Sequence, residues 1–246
     1  MIIKEEQGLK TANGGISVVI VTYNAAAHLQ KCLDSIFAQK YPDISVIIID
    51  GASTDGTVQI LQDNTAKINF WLSEKDTGIY DAMNKALKHI NNQWVYFLGS
   101  DDELLPAFSD FASELKDSSA IYYANVLHKG IKRSELVSPY YMAKVGIYHQ
   151  AIIYPASVFA EYTYNPAYKV AADYALNMRL YKDTRYHFEY RDIIIANYNH
   201  TGVSATVVDV AFEKDKASLI LKNFGFKIWG RYMFRLIKAK LGVGKK

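Results

Sequence analysis

Within its first hundred residues the chain carries four short apolar runs, and each is followed by small polar and acidic residues. Ile16–Thr22 (ISVVIVT) and Ile44–Asp50 (ISVIIID) are continuous β-branched runs, the pattern of strands covered on both faces. Residues 68–73 and 94–98 (WVYFL) supply two more. Between the first two runs, Leu29, Cys32, Leu33, Ile36 and Phe37 recur at helical spacing. Thr54 or Asp55 can cap a helix running to about Ala66, and Ile79, Met83, Leu87 and Ile90 mark another. This alternation predicts an α/β fold with a mostly parallel central sheet, right-handed crossovers and flanking helices. The second half is less regular. Strands are expected over 120–127, 152–154 and 186–196, and helices over 170–181 and 205–223.

Composition narrows the classes. Half of the 246 residues are apolar and 22% are charged, enough for a sizeable core. No run of about 18 apolar residues predicts a membrane span, and the first residues lack the apolar segment of a secretory signal. The single Cys32 can form no internal disulfide, so a reducing, cytoplasmic location is expected. Residues 217–246 hold eight Lys and Arg and no acid, whereas the first 216 hold 20 basic against 25 acidic residues. A mildly acidic body with a basic end argues against nucleic acid as a partner.

In an open parallel sheet, ligands bind beyond the carboxyl ends of the strands. There the sequence places Thr22-Tyr23-Asn24, then Asp50-Gly51-Ala52-Ser53-Thr54-Asp55-Gly56, then 73–78 (SEKDTG), then Gly99-Ser100-Asp101-Asp102-Glu103. One such loop is ordinary turn chemistry, but four on one edge point to a site. Adjacent acids such as Asp101 and Asp102 repel unless a cation or donor compensates, and a hard divalent ion leaves coordination positions open for phosphate. Asp50 is placed to accept an N–H from uracil or guanine. Neither a GxxxxGK[ST] loop nor a GxGxxG turn is present, which disfavours P-loop and dinucleotide enzymes. A nucleotide-diphosphate site built around metal remains.

These segments, VVIVTYNAAAHLQKCLDSIFAQ, IIIDGASTDGT, SEKDTGIYDAMNKAL and FLGSDDEL, resemble in order and spacing the family 2 glycosyltransferases of the GT-A fold. Among these, the chain is most similar to bacterial enzymes of surface-polysaccharide (colanic acid and O-antigen type) synthesis. The likeness is tight over 16–105 and looser over 148–151 (YHQA), 171–180 and 200–204 (HTGVS). It implies a glycosyltransferase domain over 1–216. Residues 16–105 would bind the nucleotide sugar, 106–216 the acceptor, and 217–246 would form a basic amphipathic tail. By the resemblance, Thr22, Tyr23 and Asn24 line the base and ribose, and Asp50 holds the base with support from Ser53 and Asp55. Asp76, Gly78, Tyr80, Asn84 and Lys85 lie along the ribose and diphosphate. Ser100, Asp101 and Asp102 stand at the metal motif. Asp102 is expected to bind Mn2+ or Mg2+, Asp101 the ribose or the metal shell, and His200 a third metal position. The implied reaction is an inverting single displacement with one general base. The family often carries a Glu-Asp pair there; this sequence has Ala172-Asp173, leaving Asp173 as the expected base and His149 as a rival base or acceptor contact. The implied partners are a nucleotide-diphosphate sugar, with UDP favoured, and a glycan or lipid-linked sugar acceptor.

Two further features bear on partners. Fourteen of the 19 tyrosines fall between 122 and 198, which suits packing against sugar C–H faces. In the tail, Phe226, Trp229, Met233, Leu236, Ile237 and Leu241 fall on one helical face and Lys227, Arg231, Arg235 and Lys238 opposite, with Lys240 an exception. Such a helix suits the inner face of a plasma membrane, or packing on the body or in an oligomer. A sugar nucleotidyltransferase and a non-catalytic glycan- or nucleotide-binding module remain the alternatives. The first would carry a glycine-rich loop after the first strand, where TYNAAAH stands; the second fits the missing acid at Ala172.

Overall fold

The computed structural model describes residues 2–4, 14–199 and 207–241. In chain order the first half runs β1 (Ile2–Lys4), β2 (Ile16–Thr22), α1 (Leu29–Phe37), β3 (Ile44–Asp50), α2 (Thr57–Asp63), β4 (Phe70–Ser73), α3 (Ile79–Ala86) and β5 (Trp94–Gly99). The second half runs β6 (Glu103–Leu104), α4 (Ala107–Ser113), β7 (Ala120–His128), β8 (Ile131–Arg133) and α5 (Pro139–Lys144). It continues with β9 (Ile152–Pro155), α6 (Ser157–Glu161), α7 (Ala172–Lys182), β10 (His187–Tyr198) and α8 (Val210–Lys240). One sheet takes the order β1-β4-β3-β2-β5-β9-β7-β10-β6, with β8 hanging on β7.

The expected parallel layer is present. β2 pairs in parallel with β3 and β5, and β3 with β4. Beyond β5 the sheet turns mixed, because β9 runs antiparallel to both β5 and β7 while β10 returns parallel to β7. Register aligns the strand ends: Thr22 lies opposite Asp50, Asp50 opposite Ser73, and Val21 opposite Gly99. That alignment puts four polar loops on one edge. Ile16, Val18, Ile20, Ile47, Ile48 and Val95 are fully covered, as continuous β-branched runs require.

Among the boundaries that differ from the sequence pattern, two near the strand ends have a local cause. β4 starts at Phe70, because the Asn69 side chain and backbone both bond to Val46 and close the turn. α2 starts at Thr57 behind a left-handed Gly56. Asp55 still performs the capping chemistry, since its carboxylate accepts from the Thr57 N–H at 3.1 Å, the Thr57 hydroxyl at 2.6 Å and the Ala26 N–H at 2.9 Å.

The last helix is continuous across 216/217 and breaks at Gly225, where φ is 79° and ψ is 175°. Asp209 starts it, accepting from the Phe212 N–H, and also holds the Val170 and Ala171 N–H groups at the entry to α7. The first half lies along α7, with Tyr174 against Phe212 and Tyr181 stacked on Phe224. Past the break the chain turns toward α5, and the Arg231 guanidinium sits 3.9 Å from the centre of the Tyr140 ring. Tyr232 is buried and Trp229 and Met233 are half-buried, whereas Phe226, Phe234, Leu236, Ile237 and Leu241 are exposed. The apolar face predicted from the sequence is thus divided between packing and open surface. No described helix is long and apolar enough to cross a membrane.

The φ/ψ pair at Gly225 belongs to a region that only glycine occupies without strain, at a cost of about 1–3 kcal/mol for other residues. Gly230 sits inside the same helix, and the position a Cβ would take there has no neighbour within 4 Å. Gly225→Ala is therefore expected to lower Tm by several degrees, and Gly230→Ala to raise it slightly, since alanine gains about 1 kcal/mol over glycine in a helix. Paired thermal melts check both signs.

Candidate active site

The aligned strand ends open onto a cavity of about 920 Å³. From the first half it is lined by Thr22, Tyr23, Asn24, His28, Asp76, Gly78, Tyr80, Ser100 and Asp101. From the second half come Tyr148, His149, Gln150, Lys169, Asp173, Tyr174, Tyr198 and Asn199. The expected nucleotide and acceptor halves therefore share one cavity.

Its first-half side is built on Asp50. This side chain is fully buried, and its carboxylate accepts from the Ser53 N–H at 2.9 Å, the Ser53 hydroxyl at 2.5 Å and the Ser73 hydroxyl at 2.6 Å. Ser53 in turn accepts the Asn24 N–H at 2.7 Å, and Asn24, with φ at 51°, accepts the Thr54 N–H. A buried carboxylate needs such donors. Asp50, Ser53 and Asp55 are absent from the cavity wall; they fix the loops that form it. Tyr23 projects into solvent at 68% exposure, an open ring at the rim.

The residues expected along the diphosphate, on α3 and in the loop before it, divide. Asp76 and Gly78 face the cavity, and the Asp76 carboxylate accepts the Gly78 N–H at 2.9 Å. Burial raises the Asp76 carboxyl above the ordinary range. Asn84 and Lys85 do not line the cavity. Asn84 clamps the backbone of Tyr164 through both ends of its amide. Lys85 is held at 2.8 Å by Glu74 and by the Lys75 carbonyl. The resemblance groups them with Tyr80 along the diphosphate, whereas here both side chains are engaged by neighbouring protein groups.

The acid pair after β5 also divides. Asp101 lines the cavity, whereas Asp102 is 1% exposed and does not. Asp102 accepts the Asn199 N–H at 2.7 Å, the Gln150 amide at 2.8 Å and the Gly99 N–H at 3.2 Å. Burial, followed by the Asp101 charge, pushes its carboxyl up to about 7 against those donors. Asp102 thus joins β10 and the 149–151 turn to the end of β5. A Cβ on Gly99 would lie 2.5 Å from Asp102, so the turn is closed to any larger residue there. Among the described residues no group of three His, Cys, Asp or Glu side chains is arranged to hold a metal. His200 lies outside the described residues.

Asp173 sits in the first turn of α7 and lines the same cavity as Asp101. Its carboxylate accepts the Tyr80 hydroxyl at 2.5 Å. Burial, then the Asp173 charge, raises the Tyr80 phenol well above its ordinary value, so Tyr80 is the proton donor in this bond. His149 stacks on Phe97 with ring centres 4.9 Å apart, and its Nε2 lies 3.0 Å from the Tyr164 hydroxyl. Burial lowers its pKa below 6.5 against the pull of Asp173, which leaves the ring neutral at pH 7. The sequence reading missed His28, Gln150, Lys169 and Asn199. Gln150 was legible in YHQA beside His149; the others carry no spacing signal. Of the fourteen clustered tyrosines, Tyr148, Tyr174 and Tyr198 reach the cavity, while Tyr122, Tyr123, Tyr154 and Tyr164 belong to the core.

The sequence pattern of the family described as "Glycosyl transferase family 2" matches residues 17–183. The chain belongs to glycosyl transferase family 2. A relative named "PGL/p-HBAD biosynthesis glycosyltransferase", from Mycobacterium bovis and Mycobacterium tuberculosis, is 33% identical over 210 residues, 80% of this chain and 82% of its own length. TarS from S. aureus, solved in complex with UDP-GlcNAc, superposes with a TM-score of 0.67 at 19% identity, over 85% of this chain and 67% of that one. Against a longer TarS chain the TM-score is 0.68 and this protein spans only 40% of its length. The mannosyltransferase PcManGT from Pyrobaculum calidifontis, solved with GDP-Man and Mn2+, gives 0.61 at 15% identity, over 89% and 66% of the two chains. This family 2 glycosyltransferase accordingly has the GT-A fold.

The two acids after β5 separate by experiment. Asp102→Ala leaves three donors without an acceptor and is expected to cost about 2–4 kcal/mol, a fall in Tm of about 5–15 °C. Asp101→Ala is expected to hold Tm within about 3 °C while abolishing the thermal shift produced by nucleotide with Mn2+. A calorimetric or dye-based melt of both variants, with and without ligand, reads the difference.

Proposed function

We propose that this glycosyltransferase moves a sugar from a nucleotide-diphosphate donor, UDP-linked by preference, to a hydroxyl of a glycan or lipid-linked sugar in bacterial polysaccharide assembly, by a single inverting displacement. The observation that carries the reading is that Asp101 and Asp173 line one cavity from its two halves. UDP-GlcNAc bound to TarS, and GDP-Man with Mn2+ bound to PcManGT, support such a donor on this fold.

In this reading Asp173 takes the proton from the acceptor hydroxyl. The acceptor oxygen bonds to the anomeric carbon from the face opposite the leaving group, the bond from that carbon to the phosphate oxygen breaks, and the nucleoside diphosphate departs with the electron pair. Tyr80 holds the carboxylate through its hydroxyl, and no covalent nucleophile is needed. The donor set fits a divalent cation of the Mg2+ or Mn2+ type, which takes one or two carboxylates and completes its shell from phosphate and water. Asp101 is the carboxylate of the pair that faces the cavity and would hold it, with Asp102 holding the turn. When bound, the cation would offset charge on the departing diphosphate. His149, neutral and engaged with Tyr164, suits acceptor contact better than proton abstraction. Asp173→Asn keeps an acceptor for Tyr80 but removes the base, so kcat is expected to fall about 10²–10⁴-fold with donor affinity nearly unchanged. Product formation measured alongside donor binding tests this. Full activity in the variant would reject Asp173 as base.

The basic tail is read as a peripheral contact with an anionic membrane on the cytoplasmic side. The part past Gly225 exposes Phe226, Phe234, Ile237 and Leu241 together with Lys227, Arg235 and Lys238. It packs beside α5, whose following residues Val145, Ile147 and Tyr148 line the cavity, so lipid there would bring a lipid-linked acceptor to the mouth. Each cation near an anionic surface contributes about 1 kcal/mol. Replacing Lys227, Arg235 and Lys238 together with Gln is expected to weaken binding to phosphatidylglycerol vesicles about a hundredfold in a sedimentation assay. Unchanged binding would reject the membrane reading.

A further inference from the structure

We propose that Asp76 reads the donor's base, and that it selects bases presenting a ring N–H (uracil, thymine or guanine) over cytosine and adenine. The inference rests on the nucleotide-sugar reading above and assigns the base contact within it. Strand-end position pointed to Asp50, but the buried Asp50 carboxylate is committed to Ser53 and Ser73 and does not reach the cavity.

The next residue shows which carboxylate takes that place. A Cβ on Gly51 would lie 2.6 Å from Asp76 Oδ2 and 3.3 Å from the Tyr23 ring. The space that a side chain at 51 would fill is therefore taken by a carboxylate from the neighbouring loop, set against the exposed Tyr23 ring. Asp76 Oδ1 is occupied by the Gly78 N–H, which fixes the rotamer and turns Oδ2 toward Gly51. Thr22, 5% exposed and lining the same cavity, has a hydroxyl with no hydrogen-bond partner among the described residues. A flat ring, an acceptor at its edge and a spare hydroxyl match a nucleobase. The Lys85 ammonium is bonded to Glu74 and the Lys75 carbonyl, not to Asp76.

An ionised carboxylate only accepts hydrogen bonds. Uracil and thymine offer N3–H, and guanine offers N1–H together with its amino group. Cytosine N3 and adenine N1 are lone-pair acceptors and would face the carboxylate in repulsion. A site built around a half-buried acceptor rejects ligands that lack the donor more strongly than it rewards those that carry it.

The test is titration calorimetry of UDP, dTDP, GDP, CDP and ADP, each with Mn2+, on the full chain and on Asp76→Asn and Gly51→Ala. The wild type is expected to bind at least one of the first three about tenfold or more tighter than CDP and ADP. Asp76→Asn keeps an acceptor for Gly78 and gains an amide donor for cytosine N3, so the ratio to CDP should collapse to within about threefold. Gly51→Ala adds no polar group, yet it displaces the carboxylate and should lower the same ratio. Wild type binding CDP as tightly as UDP, or Asp76→Asn keeping the wild-type ratio, overturns the assignment and leaves the transferase reading standing. A folded wild type that binds no nucleotide overturns both.

Discussion

A buried carboxylate organises the first-half side of the cavity. Asp50 ends a central strand where water is excluded, and burying it without donors would be prohibitive. Its three donors come from Ser53, in the loop after β3, and from Ser73, the last residue of β4, and Ser53 passes the restraint on to the backbone of Asn24. The loops after β2, β3 and β4 are thereby locked to each other at the sheet edge. Asp55 repeats the device one turn later by tying the start of α2 to Ala26. Acids that do not line the cavity thus hold the loops that do.

The same division recurs across the site. Asp50 is structural and Asp76 faces the cavity; Asp102 is structural and Asp101 faces the cavity. Burial, followed by the Asp101 charge, pushes the Asp102 carboxyl up to about 7. Asp102 also reaches across to Gln150 and to the backbone of Asn199, joining the second half of the chain to the first. Tyr80 and Asp173 make a second joint, from α3 to α7. The cavity is thus closed by hydrogen bonds between halves of the chain that local pattern treats as separate.

This explains what was legible in the sequence. Uninterrupted β-branched runs can only be doubly covered strands, so the parallel layer and the edge that carries the loops could be read directly. Which of two adjacent acids turns inward could not, because in a tight turn neighbouring side chains diverge and their directions depend on partners far along the chain. Asp102 is buried because Gln150 and Asn199 arrive from elsewhere. Asn84 and Lys85 were grouped with Tyr80 by the resemblance, and what engages their side chains, the Tyr164 backbone and Glu74, lies elsewhere in the chain. The antiparallel insertion of β9 between β5 and β7 left only a four-residue apolar trace.

The break at Gly225 has a consequence for geometry at a lipid surface. A straight helix of that length would carry its cations out on a free arm, and the body could then pivot beneath it. The turn instead seats Tyr232 in the body and lays Arg231 on Tyr140. A tail fastened at the middle of its second leg has no hinge with which to swing. Any surface that grips it would set the tilt of the whole domain, and with it the height above the headgroups at which a hydroxyl could enter the cavity.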